Sequence, residues 1–180
     1  MNIFRALTYL SLFPKDETVK LWPDVIDFLL QNGREKELVE KLFSDIEKES
    51  AEDLRVEYTK LFISSYPELP VSPYESTYAT REKRVMADCV DDITDMYKNA
   101  GLELKEDFPD LPDHFSVELS FLDYLEEKKL YKQKQEFLDK HLLKWIPELN
   151  KKVRQSAKSE FYKVFFDLVE KVITDEAKNK

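Results

Sequence analysis

The chain has 180 residues, with 42% hydrophobic residues, two glycines, one cysteine and two histidines. That is enough apolar material for one core, and too little glycine for hairpin-rich β architecture or for a glycine-rich phosphate loop. Its 28 basic and 37 acidic residues give a net charge of −9, which disfavours nucleic acid and anionic membrane as partners and suits either plain solubility or a cationic partner.

The N-terminal stretch Met1 to Phe13 carries Ile3, Leu7 and Leu10 at helical spacing. It reads as a first core helix rather than a signal peptide, and no run is long enough to span a membrane. The expectation is a cytoplasmic protein without stable membrane insertion. Lys15 to Asn32 continues the helical rhythm, with Pro23 splitting it and Asn32-Gly33 as its stop. Leu38, Val39, Leu42, Phe43 and Ile46 mark the next helix. Ser50 with Asp53 resembles a capping box opening a helix with Leu54, Tyr58, Leu61 and Phe62.

Residues 64–79 contain three prolines and several hydroxyls, and read as the longest loop. A helix is expected from about Thr80 to Ala100, with Val85, Met86, Cys89, Ile93, Met96 and Tyr97 on one broad face. Gly101 closes it, and residues 101–112 form a second loop. Pro112 and Asp113 then stop one segment and cap the next, whose apolar face is Phe115, Leu119, Leu122, Leu125 and Phe121. Lys129 to Leu143 forms another helix, with Pro147 limiting the segment around Trp145. Ser159 caps a last helix bearing Phe161, Phe165, Leu168 and Val172, and the tail from Asp175 should fray. The expected fold is all-α, a single-domain bundle of about eight or nine helices over residues 1–180.

Chemistry-bearing residues are few. Cys89 sits among apolar residues and reads as a small core hydrophobe; one cysteine with two distant histidines makes no usual zinc cage, so no metal is expected. His114 and Glu118 are four apart. Glu118 falls inside the apolar arc of its helix, a departure from plain amphipathic patterning. The two could form an acid–base pair, which would make a small helical hydrolase or nucleotide-binding enzyme, or a structural or partner-contacting pair. No nucleophile or oxyanion loop accompanies them, so no catalytic residue is assigned. Tyr66, Tyr74 and Tyr78 in the proline-stiffened loop offer rigid contact area for a peptide, or pack onto the helices. His141 and Trp145, also four apart, read as a packed core contact.

Several of these stretches together carry a resemblance. Leu111-Pro112-Asp113-His114-Phe115, then Glu118-Leu119 and Phe121-Leu122, resembles the most recognisable motif of the TorD/DmsD/NarJ chaperones. Glu57-Tyr58 with Leu61-Phe62, Pro73-Tyr74-Glu75-Ser76 with Tyr78, and Phe137-Leu138 with His141-Leu142 and Trp145 resemble three further family segments, in the family's order. Pro112 abutting Asp113 looks like the nitrate-reductase branch; the Pro-Tyr-Glu-Ser loop looks like the TorD/DmsD branch. The resemblance implies a non-enzymatic cytoplasmic chaperone without a cofactor of its own. Such a protein binds the twin-arginine signal peptide or apo form of a molybdopterin oxidoreductase and assists cofactor insertion before export, as a monomer or a dimer, domain-swapped or not. It further implies that Asp113 and His114 form the peptide site and that Tyr74, Glu75, Ser76 and Tyr78 belong to the functional loop. Glu118 joins them from its place on the helical wheel.

Overall fold

The computed structural model describes residues 1–32, 35–79, 88–105 and 110–179. The expected stop at Gly33, the helix start at Thr80 with Val85 and Met86, and Pro109 of the second loop lie outside them. Among the described residues the fold is all-α, with no strand. In chain order the helices are α1 (Ile3–Ser11), α2 (Asp16–Val19), α3 (Trp22–Asn32), α4 (Lys36–Ile46), α5 (Ala51–Tyr58), α6 (Ser76–Ala79), α7 (Cys89–Asn99), α8 (Phe115–Glu127), α9 (Tyr131–Phe137), α10 (Leu143–Ser156) and α11 (Glu160–Lys178). Two π-helical segments, Thr59–Ile63 and Leu138–Leu142, extend α5 and join α9 to α10.

Local chemistry explains most of the boundaries. Asn2, Ser50 and Ser159 cap α1, α5 and α11 by accepting the amide hydrogens of Arg5, Asp53 and Tyr162. Pro23 sits in the first turn of α3, where a missing N–H costs nothing. Gly101 ends α7 at φ +85°; its amide donates to Lys98 and that of Leu102 to Tyr97, the paired bonds that satisfy a helix C-terminus. The same bonding ends α8, from Lys129 to Glu126 and from Leu130 to Leu125, although the left-handed residue is Lys129 at φ 58°.

Three sequence expectations are corrected. Residues 64–79 are not all loop, because Ser76–Ala79 forms one helical turn. Pro147 does not limit its segment: it lies inside α10, one turn into the helix that the π-helical segment opens. The tail does not fray at Asp175, because α11 runs to Lys178. Lys134 pairs with Glu176 at 2.9 Å, and Gln135 Nε2 donates to the carbonyl of Ala177 at 3.1 Å.

Helix α11 is the centre of the core. Phe161, Tyr162, Phe165, Phe166, Leu168, Val169, Val172 and Ile173 are all buried, because α4 and α10 pack against it. Helix α1 packs between α3 and α8, and α9 flanks α8. Phe62, Phe115 and Phe166 meet with ring centroids 5.4–5.7 Å apart, joining the first π-helical segment, the start of α8 and α11. This aromatic contact fixes where α8 begins, and so where the Asp113-His114 stretch lies.

Phe166→Ala should lower the free energy of unfolding by about 3–5 kcal/mol, measured by urea denaturation. Lys129→Gly should raise it by about 0.5–1 kcal/mol, because only the left-handed strain at that position is removed.

Candidate functional site

The first turn of a helix leaves amide hydrogens without partners. At α8 they are met by His114, not by Asp113 as the sequence implies. His114 has extended backbone (φ −73°, ψ 136°), and its Nδ1 accepts from the amide of Ser116 at 3.2 Å. Nδ1 also lies 2.8 Å from Ser116 Oγ. Asp113 is drawn elsewhere because the chain before α8 pairs with the proline-rich loop. Tyr74 and His114 form an isolated antiparallel bridge: Glu75 N donates to Asp113 O at 3.0 Å and Phe115 N to Pro73 O at 2.9 Å. The Asp113 side chain then accepts from the amide of Ser76 at 3.0 Å, serving the first turn of α6. Tyr97 Oη holds the carbonyl of Pro112 at 2.8 Å.

Behind this junction lies a buried polar cluster. Glu118 is 0% exposed, and its Oε2 accepts from Trp145 Nε1 at 3.1 Å. Its other oxygen faces no donor among the described residues. Burial, and then the neighbouring Glu75, hold the Glu118 carboxyl well above the usual carboxylate range. Burial beside Glu75 therefore favours the protonated form of the Glu118 carboxyl. Glu75 also takes His141, whose Nδ1 lies 3.0 and 3.2 Å from its two oxygens, and His141 Nε2 lies 3.4 Å from Asp92 of α7. Cys89 flanks the cluster. Burial and the nearby Glu75 and Asp113 push its thiol up to about 11, so it stays protonated and unreactive at neutral pH.

The predicted pairing of His114 with Glu118 does not form. A residue capping a helix is not itself helical, so the four-residue spacing does not bring the two side chains together. The His114 ring engages Ser116 on one side and Asp110 on the other, with Nε2 3.7 Å from Asp110 Oδ2, while Glu118 points inward to Trp145. Burial lowers the imidazole pKa, so His114 is neutral near pH 7. With Nδ1 accepting from Ser116, the ring proton sits on Nε2.

The structure thus brings Tyr74, Glu75, Ser76, Asp113, His114 and Glu118 to one junction, at different depths. Glu75, Ser76, Asp113, His114 and Glu118 are buried. Tyr74 is half-buried, with its ring edge-on to His114 at 5.3 Å and its hydroxyl donating to Asp110 at 3.1 Å. Burial and Asp110 push its phenol up to about 12. Tyr78 turns away: it packs on Trp145 at 5.3 Å, lies under Lys152, and donates to the carbonyl of Ser72. His141 and Trp145, read from sequence as a core contact, are members of the cluster. The signal for this was their chemistry, since a buried imidazole and a buried indole both carry an N–H that needs an acceptor.

Outside the junction a hollow of about 520 Å³ opens beside Tyr74 and His114, with Phe13, Tyr58, Ile63 and Leu69 among its walls. A second, of about 540 Å³, lies between α7 and α8 against Leu102, Leu104, Val117 and Phe121. Among the described residues no group of three or more His, Cys, Asp or Glu could hold a metal ion, and no helix is long and apolar enough to cross a membrane.

An all-helical chain with this loop-to-helix junction is the type of protein that the sequence motifs indicate. The family model described as nitrate reductase delta subunit matches residues 27–151, a span that includes the whole junction, and the chain belongs to that family. It is 24% identical over 136 residues to the perchlorate reductase assembly chaperone protein of Dechloromonas aromatica (strain RCB), covering 69% of this chain and 60% of that relative's length. Its fold is similar to the crystal structure of an Archaeoglobus fulgidus chain described as a redox enzyme maturation protein. That match has a TM-score of 0.69 and 26% identity, over 95% of this chain and 91% of the other.

The state of Glu118 has a measurable consequence. Its folded-state pKa is raised, so its contribution to stability is complete below the ordinary glutamate value of 4.5 and is lost as pH rises toward the folded value. His114 runs the other way: its contribution is complete above the ordinary 6.5 and is lost as pH falls below it. Glu118→Gln keeps the bond to Trp145 without titrating. It should match or exceed the wild type in unfolding free energy at about pH 8, with the gap closing by about pH 5. Glu118→Ala should cost about 2–4 kcal/mol at either pH by leaving Trp145 Nε1 unpaired beside a void. Equal losses in both variants at the higher pH would show that Glu118 is not protonated.

Proposed function

We propose that the protein is a cytoplasmic chaperone for a molybdopterin oxidoreductase. In this reading it holds the apo-enzyme, through its twin-arginine signal peptide or another segment, until the cofactor is inserted and export can follow. The family match supports the class, as do two relatives whose names describe assembly and maturation of redox enzymes. The observation that carries the reading is the junction itself. Two separate motif stretches of the sequence, Pro73–Ser76 and Asp113–Phe115, are bonded together at the mouth of an apolar hollow.

The physical task is capture without covalent chemistry. A signal peptide offers guanidinium groups and then an apolar run. In this reading Tyr74 meets it at the rim of the hollow, with the buried His114 ring behind. Glu75, Ser76, Asp113 and Glu118 serve from beneath, by fixing the loop against α8, and Tyr78 anchors the loop's far end on Trp145. The acidic surface favours a cationic client and makes binding sensitive to salt.

Titration calorimetry with a synthetic peptide carrying two adjacent arginines and a leucine-rich run tests this. Binding should weaken with added salt and should be about tenfold weaker for the Lys-Lys variant, which lacks the bidentate fork. Equal affinity for the two peptides would remove arginine recognition from the reading; absence of binding to either would remove signal-peptide capture.

A further inference from the structure

The carboxylates among the motif residues, Glu75, Asp113 and Glu118, are withdrawn from the surface. Asp113 and Glu118 are 0% exposed and Glu75 is 4% exposed, and each is engaged by the protein itself. Asp110, whose side chain is 33% exposed, does reach the surface here. It lines both apolar hollows, which meet at Leu12, Asp110 and Ser116.

Asp110 is also oriented. Oδ1 accepts from Tyr74 Oη at 3.1 Å and from the amide of Leu111 at 2.8 Å. Among the described residues Oδ2 has only His114 Nε2 nearby, at 3.7 Å, beyond hydrogen-bond distance. One oxygen thus fixes the group and the other keeps its lone pairs for an incoming donor. A carboxylate held in place beforehand loses little conformational freedom on binding. Of the two hollows it joins, one is walled by Phe13, Ile63 and Leu69 and the other by Leu102, Leu104 and Val117.

We infer that Asp110 is the specificity-determining acceptor for a client arginine, and that the occupant of the two hollows is a peptide with apolar residues on both sides of that arginine. The inference rests on the proposed function and narrows it: Tyr74 orients Asp110, and the buried carboxylates of the motifs shape the site without meeting the client. Charge complementarity selects this occupant. A fixed carboxylate shared by the two hollows, with exposed Glu103 on the wall of one and exposed Lys15 on the wall of the other, would be left desolvated by a purely apolar segment, and would repel an acidic one.

The test is a double-mutant cycle by calorimetry, using Asp110→Asn and the twin-arginine peptide with each arginine replaced in turn by citrulline, its uncharged isostere. Asn keeps an oxygen for Tyr74 and the Leu111 amide, so the fold should hold, as checked by circular dichroism and the unfolding midpoint. Asp110→Asn should weaken the arginine peptide about tenfold and one of the citrulline peptides less than about twofold, giving a coupling for that pair alone. Equal losses on every peptide, or no loss on any, would overturn the assignment while leaving signal-peptide binding in place. Failure of the wild type to bind the arginine peptide would overturn both this inference and the capture reading.

Discussion

The structure depends on one hydrogen-bonded junction, in which the chain at Pro73–Ser76 is laid antiparallel against Asp113–Phe115. Two main-chain bonds and the Asp113 side chain make it. Such bonds are worth only about 0.5–1.5 kcal/mol each, but their loss would leave buried amide and carboxylate groups without partners, at about 1–3 kcal/mol apiece. A proline-rich loop has little regular structure of its own to place it. Here it is placed by borrowing the backbone of the segment that opens α8. Ser76–Ala79 becomes helical for the same reason, because Asp113 supplies the acceptor that its first turn needs.

The buried cluster underneath extends that constraint to the second half of the chain. Glu118 comes from α8, Glu75 from the loop, and His141 and Trp145 from the segment joining α9 to α10 and the start of α10. Both π-helical segments adjoin this region. One carries Phe62 and Ile63 to the hollow; the other carries His141 to Glu75. A π-turn admits one extra residue and rotates the next turn of the helix, so a continuous helix can direct a polar side chain inward without breaking. Two carboxyl groups side by side in a dry interior resist ionising together, which raises the Glu118 pKa beside Glu75.

This arrangement divides the motif residues by depth. The residues that define the family most recognisably are mostly structural members of the junction, while the surface they create is presented by Tyr74 and Asp110, with His114 buried behind them. A motif of this kind encodes the shape of a site as much as its contacts. The non-covalent function we propose is consistent with that division, since binding a peptide requires a firm, partly apolar surface with few oriented polar groups.

The residue periodicity determined much by itself: the all-α class, the apolar faces of α1, α3, α4, α8 and α11, and the caps at Ser50, Ser159 and Gly101. These depend on interactions within about one helical turn, which linear spacing expresses directly. The motif order along the chain likewise carried the family. Only the tertiary structure decided the rest. It gave the cap of α8 to His114 because Asp113 was claimed by a loop 37 residues away. It separated His114 from Glu118, and it joined Glu75, Glu118, His141 and Trp145 from distant segments. It withdrew three of the expected carboxylates from solvent and left Asp110, which no motif marks, at the surface. Which groups meet across a core is set by packing between elements, and a helical wheel drawn for one segment contains no information about the segment that covers it.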